Sequence, residues 1–357
     1  MKDKDILLAI DLFSGCGGLS VGLKQASFKV LAAIENEKLA ANVYRSNHKE
    51  THLCEQDIRL VDPQKLMKAL GLEEGQLDLL AGCPPCQGFS TLRTKNGSKT
   101  IIEPMNDLLF EFLRFADVFK PKCIMMENVP GLSKDERLDI FNDHLKSKGY
   151  KTRCNVFDAA DFNVPQHRKR TVFIASLLFD PLFAEKSKTR KTVRNAIGKL
   201  KKPGQGSDPL HDYHTNVSTK ISTLIKLIPK NGGSRAQLPE NMVLQCHKDT
   251  DGFKDVYGRM SWDKPARTIT GGCINPSKGR FLHPSQNRAI TLREAAMIQG
   301  FAKKYKFDVK SGRYPVAQLI GNAFPPAFAK FHAKKLAEQI FLNRKVNNEL
   351  RSNDIAK

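Results

Sequence analysis

The first 180 residues alternate short, almost wholly apolar runs with longer amphipathic ones. "ILLAIDLF" (Ile6–Phe13), "FKVLAAIE" (Phe28–Glu35), "QLDLLAG" (Gln76–Gly82), "KCIMMEN" (Lys122–Asn128) and "RTVFIAS" (Arg170–Ser176) read as strands. Segments such as "EKLAANVYRSN" between them read as helices. Strands that are apolar along their whole length are buried on both faces, and parallel sheets covered by crossover helices produce them. The pattern therefore predicts an α/β fold with a doubly wound, mostly parallel sheet. In "SKDERLDIFNDHLKSKG", Ser133 and Glu136 have capping-box spacing and Gly149 suits a helix stop.

The alternation ends near Phe183. The stretch 203–287 is rich in Gly, Asn and Ser, with short apolar runs and no clear helical period. A second, smaller and irregular domain is expected there. Order returns at "TLREAAMIQGF", where Thr291 and Glu294 share capping-box spacing, and at "PPAFAKFHAKKLAEQIF", whose prolines suit a helix start. The expected division is residues 1–183 plus 312–345 as one domain, 184–311 as the second, and 346–357 as a frayed polar tail.

Lys and Arg exceed Asp and Glu by 21 over 357 residues and are spread along the chain. That surplus points to a polyanionic partner, with nucleic acid the usual one. No apolar run is long enough for a bilayer, and "MKDKDILLAIDLF" is too charged for a signal peptide. A cytoplasmic protein with reduced cysteines is expected.

Between the first strand and first helix lies "DLFSGCGG", with glycines spaced G-x-G-G-x-x-x-G from Gly15 to Gly22. The dinucleotide fingerprint wants glycine at position 20, which is Ser20, and no P-loop motif occurs. Glu35 ends the second strand and could accept both ribose hydroxyls; Asp57 could serve an adenine amino group. A glycine turn without the phosphate fingerprint suits an adenosine ligand lacking phosphates, such as S-adenosylmethionine. An NAD-like ligand and a purely structural turn are the competing readings.

"LAGCPPCQGFS" (Leu80–Ser90) contains two of the eight cysteines, Cys83 and Cys86. Zinc needs four ligands, usually two close pairs, and only "HDYH" (His211–His214) offers a second pair. A thioredoxin-type pair has no use for the glycine loop ahead of it. The third reading makes Cys86 a nucleophile beyond a strand's carboxyl end, where ligands of open parallel sheets bind. Glu127 stands at another such end, and "QHRKR" (Gln166–Arg170) precedes a strand.

Nine segments in order, "DLFSGCGG", "ENE", "CEQDI", "GCPPCQGFS", "NDLLFEF", "ENVPG", "QHRKR", "RAITLREAAMIQGF" and "QLIGNAFPP", make the chain resemble the bacterial DNA cytosine-5 methyltransferases of restriction–modification systems over almost its whole length. The resemblance implies a Rossmann-like methyltransferase domain and a target-recognition domain whose variable part is 184–287. It implies Cys86 as nucleophile, Glu127 as acid, and Arg170 with Arg168 as charge partners. It places Phe13, Gly15, Gly17, Gly18, Glu35, Asp57, Ile58, Leu108 and Asn322 around S-adenosylmethionine, with no metal. One departure is Cys83, where glycine is common in the family.

The residue types suit the implied chemistry. A thiolate added at carbon 6 of cytosine turns the ring into an enamine, so carbon 5 can take a methyl group. A carboxyl group that donates a proton to ring nitrogen 3 assists, so Glu127 must carry a proton when it acts. A base must later remove the carbon 5 proton, and no residue is identified for it. The target must flip out of the duplex. "STLRTKNGSKT" then reads as a closing loop, with Ser90 and Arg93 at the DNA. The implied partners are double-stranded DNA and, genetically rather than physically, a cognate endonuclease; a monomer is expected. A transfer-RNA methyltransferase of the same fold, a silent DNA-binding regulator and a thiol oxidoreductase are the alternatives. The long basic region, the overall charge and the intact Cys86, Glu127 and Arg170 set argue against them.

Overall fold

The computed structural model describes residues 6–85, 108–213, 215–243 and 255–355, the last five without side chains. Seven strands form one sheet: β1 (Leu7–Leu12), β2 (Phe28–Ile34), β3 (His52–Cys54), β4 (Leu79–Gly82), β5 (Cys123–Asn128), β6 (Lys151–Asp158) and β7 (Lys169–Ser176). The order is β3-β2-β1-β4-β5-β7-β6, and every pairing is parallel except those of β7, which is antiparallel to both neighbours. The chain winds outward from β1 to β3, then returns to place β4 on the other side of β1. That reversal opens a crevice beyond the carboxyl ends of β1 and β4.

The helices of this unit are α1 (Gly18–Lys24), α2 (Lys38–Asn47), α3 (Pro63–Ala69), α4 (Leu108–Phe119) and α5 (Glu136–Ser147). Strands β4 and β5 are buried at every residue, as crossover helices on both faces require. On one face Phe112, Phe115, Phe119 and Phe141 pack onto Ile10, Leu80, Ile124 and Phe173. Helix α5 starts two residues later than its sequence suggests: Asp135 is the cap, and Ser133 Oγ donates instead to the Pro130 carbonyl. Asp135 captures both the Arg137 amide and its guanidinium, which outcompetes a serine hydroxyl.

Four more helices follow, α6 (Val193–Ile197), α7 (Thr219–Leu227), α8 (Leu292–Gln299) and α9 (Arg313–Asn322), and then α10 (Pro326–Ile355). The chain forms two compact units, one of residues 1–158, 169–186 and 326–357, the other of 159–168 and 187–325. The boundary after 325 differs from one at 311 because α9 belongs with the second unit. A Cβ on Gly321 would lie 2.3 Å from the Thr270 carbonyl carbon, so this face of α9 rests on the 270–271 backbone. Residues 159–168 join the same unit through Gln166, whose Oε1 accepts the Ile269 amide and whose Nε2 donates to Gln299. Helix α10 continues through 346–355 in place of a frayed tail; Arg344 anchors it to buried Asp78 of the first unit.

The second unit has little regular sheet. Its largest fully buried side chain is Arg259, which donates to the carbonyls of Ile225, Ile228, His283 and Gln286 and to Asn287 Oδ1. One guanidinium thus satisfies backbone groups that strands would otherwise pair. The Thr291–Glu294 capping box forms as its spacing predicts. Helix α7 breaks the expectation of no helix in 203–287; at nine residues it is too short to carry a visible period, but Ser218 caps it.

Candidate active site

Strand register sets the site. Leu12, Ile34, Gly82 and Met126 share one row across β2, β1, β4 and β5. The next residues in sequence are Phe13, Glu35, Cys83 and Glu127, so all four stand one step past that row, at the carboxyl edge of the sheet. Because β7 is antiparallel, its first residues reach this same edge. Of "QHRKR", Arg170 therefore reaches Glu127: its Nε lies 2.7 Å from Glu127 Oε1, with both side chains largely buried.

The turn after β1 uses left-handed backbone at Phe13 (φ 57°), Gly15 (φ 54°) and Gly17 (φ 91°). Gly15 is favoured by its conformation, since among the described residues a Cβ there would meet nothing within 4 Å. Gly17 is the cap residue of α1 and Gly18 its first residue. Gly22, the last glycine of the spacing, has a different task. A Cβ there would fall 2.4 Å from Ala329 Cβ and 2.7 Å from the Pro326 carbonyl oxygen, so it permits α1 to lie against α10.

Glu35 receives the Gly15 amide on Oε2 and the Glu37 amide on Oε1, both at 2.7 Å. Burial pushes its carboxyl above the ordinary range, while those amides pull the other way. Asp57 caps the short 3-10 turn Ile58–Leu60 and is held by the Arg59 guanidinium, which lowers its pKa to about 2. Ile58 and Leu108 are buried, Leu108 at the start of α4.

Arg168 and Asn322 lie in the second unit. Arg168 Nη1 donates to the Ile269 carbonyl, and Asn322 is the last residue of α9. Cys86, Ser90 and Arg93 fall outside the described residues. Cys83 is described: it is half-buried, beside Glu127. Burial, then the Glu127 charge, raise its pKa well above the ordinary value, the opposite of an activated redox thiol. The zinc reading loses His211, whose two ring nitrogens face Thr291 Oγ1 and the Lys201 carbonyl.

Two polar groups in the glycine-loop segment escape a reading based on motifs. Ser14 is buried and its Oγ has no hydrogen-bond partner among the described residues. Asp11 is fully buried in β1, accepts from Ser20 Oγ at 2.6 Å on one oxygen and has no partner among the described residues on the other; burial lifts its pKa to about 7. An acid inside an otherwise apolar strand was the available signal.

The profile of the C-5 cytosine-specific DNA methylases matches residues 7–338. The chain belongs to this family. It is a DNA (cytosine-5) methyltransferase. The type II methylase M.HgiDII of Herpetosiphon aurantiacus is 36% identical over 346 residues, covering 92% of this chain and 94% of its own. The type II methyltransferase M1.HphI of Haemophilus parahaemolyticus is 35% identical, covering 91% and 85%. In fold the enzyme is similar to the Entamoeba histolytica methyltransferase EhMeth, with TM-score 0.64 at 17% identity, covering 94% of this chain and 99% of that one. The S. pombe Dnmt2 methyltransferase gives 0.60 at 19%, covering 94% and 99%. No helix among the described residues is long and apolar enough to cross a membrane.

Proposed function

We propose that the enzyme methylates one cytosine within a specific double-stranded DNA sequence, after that base leaves the stack, through a covalent bond between Cys86 and carbon 6. The observation that carries this reading is the Glu127–Arg170 pair at the crevice, in register with Phe13 and Glu35. Cys86 adds its sulfur to carbon 6 while Glu127 gives a proton to ring nitrogen 3, which makes carbon 5 nucleophilic. Arg170 holds one carboxyl oxygen and so fixes the plane in which Glu127 meets the base. Loss of the carbon 5 proton then expels the thiolate. Arg168 assists as a second cation.

The first unit fits S-adenosylmethionine as cofactor. Each Glu35 oxygen keeps a lone pair for a ribose hydroxyl after accepting one amide. The Ser14 hydroxyl, unpartnered among the described residues, offers a polar contact beside the glycine turn. Phe13, Gly15, Gly17, Gly18, Glu35, Asp57, Ile58 and Leu108 would hold the cofactor, with Asn322 added from the family resemblance. When bound it supplies the methyl group.

The type II naming of relatives at 36% and 35% identity supports a restriction–modification role, in which a cytoplasmic, monomeric enzyme shields host DNA from a companion endonuclease. The net charge of +21 supports duplex DNA as substrate. A duplex carrying 5-fluorocytosine at the target tests the mechanism. Fluorine cannot leave as a proton does, so a denaturation-resistant adduct should form, map to Cys86 and vanish in Cys86→Ser. Normal methylation without any adduct would refute it. The target itself comes from mapping 5-methylcytosine in a methylation-free host that expresses the gene.

A further inference from the structure

We infer that Arg114 is a positioning residue for cofactor binding, acting through the turn that carries Asp57 and Ile58. Arg114 stands on α4, two turns beyond Leu108, and its guanidinium leaves the helix toward a different segment of chain. Nη2 donates to the Ile58 carbonyl at 2.7 Å and Nη1 to the Val61 carbonyl at 2.8 Å. Nε donates to Glu111 Oε2 at 2.8 Å, one turn back on the same helix. The fork is therefore held from behind and spent in front.

The turn needs such a clamp. Ile58–Leu60 is a single 3-10 turn between the short edge strand β3 and α3. One 3-10 turn has poor hydrogen-bond geometry and little stability of its own. The guanidinium reinforces it at both ends, on the Ile58 carbonyl, which already accepts the Val61 amide, and on the Val61 carbonyl just past the turn. Asp57 caps the turn, so any drift of Ile58 or Val61 moves the Asp57 carboxyl and the Ile58 side chain together. Arg114 also ties this turn to the helix that begins with Leu108. Three residues assigned to the cofactor, from segments about 50 residues apart, are thus indexed by one side chain. Lysine cannot reproduce this, because it is a point charge without a planar fork.

The inference rests on the reading that S-adenosylmethionine binds at Glu35, Asp57 and Ile58, and its test separates the two. Calorimetry with S-adenosylmethionine and steady-state kinetics are run on the full-length wild type, Arg114→Met, Arg114→Lys and Glu35→Ala. Arg114→Met should raise Kd and the cofactor KM about tenfold, leave kcat at saturating cofactor within about twofold, and leave DNA affinity unchanged. Arg114→Lys, which keeps the charge and one donor, should fall between and guards against a folding defect in Arg114→Met. An unchanged cofactor Kd in both Arg114 variants, with Glu35→Ala weakened, overturns the role of Arg114 alone. Kd unchanged in Glu35→Ala as well overturns the pocket reading. A fall in kcat and DNA affinity that tracks unfolding would make Arg114 a general structural residue and also overturn the inference.

Discussion

Replacing Gly22 by alanine tests how the glycine turn is aimed. In most helix interiors this change stabilises by about 0.5–1 kcal/mol. Here the new Cβ would stand 2.4 Å from Ala329 Cβ, 2.7 Å from the Pro326 oxygen and 2.8 Å from the Lys330 amide nitrogen. Two of these neighbours are backbone and cannot rotate away. Restoring ordinary contact requires α1 and α10 to part by about 1 Å, and overpacking of this kind costs about 1–3 kcal/mol. The net loss should be about 1–2 kcal/mol. With a urea slope of about 3 kcal/mol/M for a chain of this size, the midpoint should fall by about 0.3–0.7 M. Fluorescence-monitored urea titration reads this. Ala329→Gly in the same chain should restore part of it by removing the closest contact. A midpoint that stays or rises in Gly22→Ala would refute the packing argument and return Gly22 to the role of a spacer in the turn.

Four further outcomes follow from the same structure. Asp11 has a folded pKa of about 7 against 3.8 in the free state, so between those values the folded chain holds a proton that the unfolded chain has lost. Stability should therefore fall as pH rises from about 4 to about 7, by up to about 1.4 kcal/mol per unit, and level off above; Asp11→Asn should flatten urea midpoints across that window, and an unaltered slope would contradict it. Cys83→Ala removes the thiol beside Glu127 and should slow adduct formation about three- to tenfold, with Cys83→Ser restoring much of the rate; equal rates in all three would exclude the contact from catalysis. Glu127→Gln should abolish methylation while cofactor affinity measured by calorimetry is kept, and retained turnover would remove Glu127 from the mechanism. Replacing 184–287 by the equivalent of a relative with another specificity should move the methylated sequence to the donor's, as mapped by bisulfite sequencing; an active chimera that marks the original sequence would refute this.

Strands β1, β2, β4, β5 and β7 were legible because they are apolar along most of their length; β3 and β6, at the two edges of the sheet, were not, since β3 is three partly buried residues and β6 is polar and half exposed. Glu35 and Glu127 could be placed at strand ends from the sequence. That they share one register row depends on pairings between strands far apart in the chain, which no local pattern encodes. Arg170 stayed ambiguous because strand direction is invisible in "RTVFIAS"; only the antiparallel β7 brings its start to the crevice. The domain boundary slipped for a similar reason. Helix α9 has strong local signals, but its partner is a backbone segment about 50 residues earlier, and only the facing glycines Gly321 and Gly271 hint at so close an approach. Ser133 misled because two capping candidates stood two residues apart, and Arg137 decided between them.

The pairing of α1 with α10 also sets an order of events during synthesis. Gly22 leaves the ribosome early, but Ala329 and Pro326, the surface it needs, follow about 300 residues later. At about 5–20 residues per second the gap is about 15–60 s. Throughout that interval α1 lacks the helix it packs against, while the second unit is made in between. The close packing that Gly22 permits is thus a late event, made between one of the first helices of the chain and one of the last.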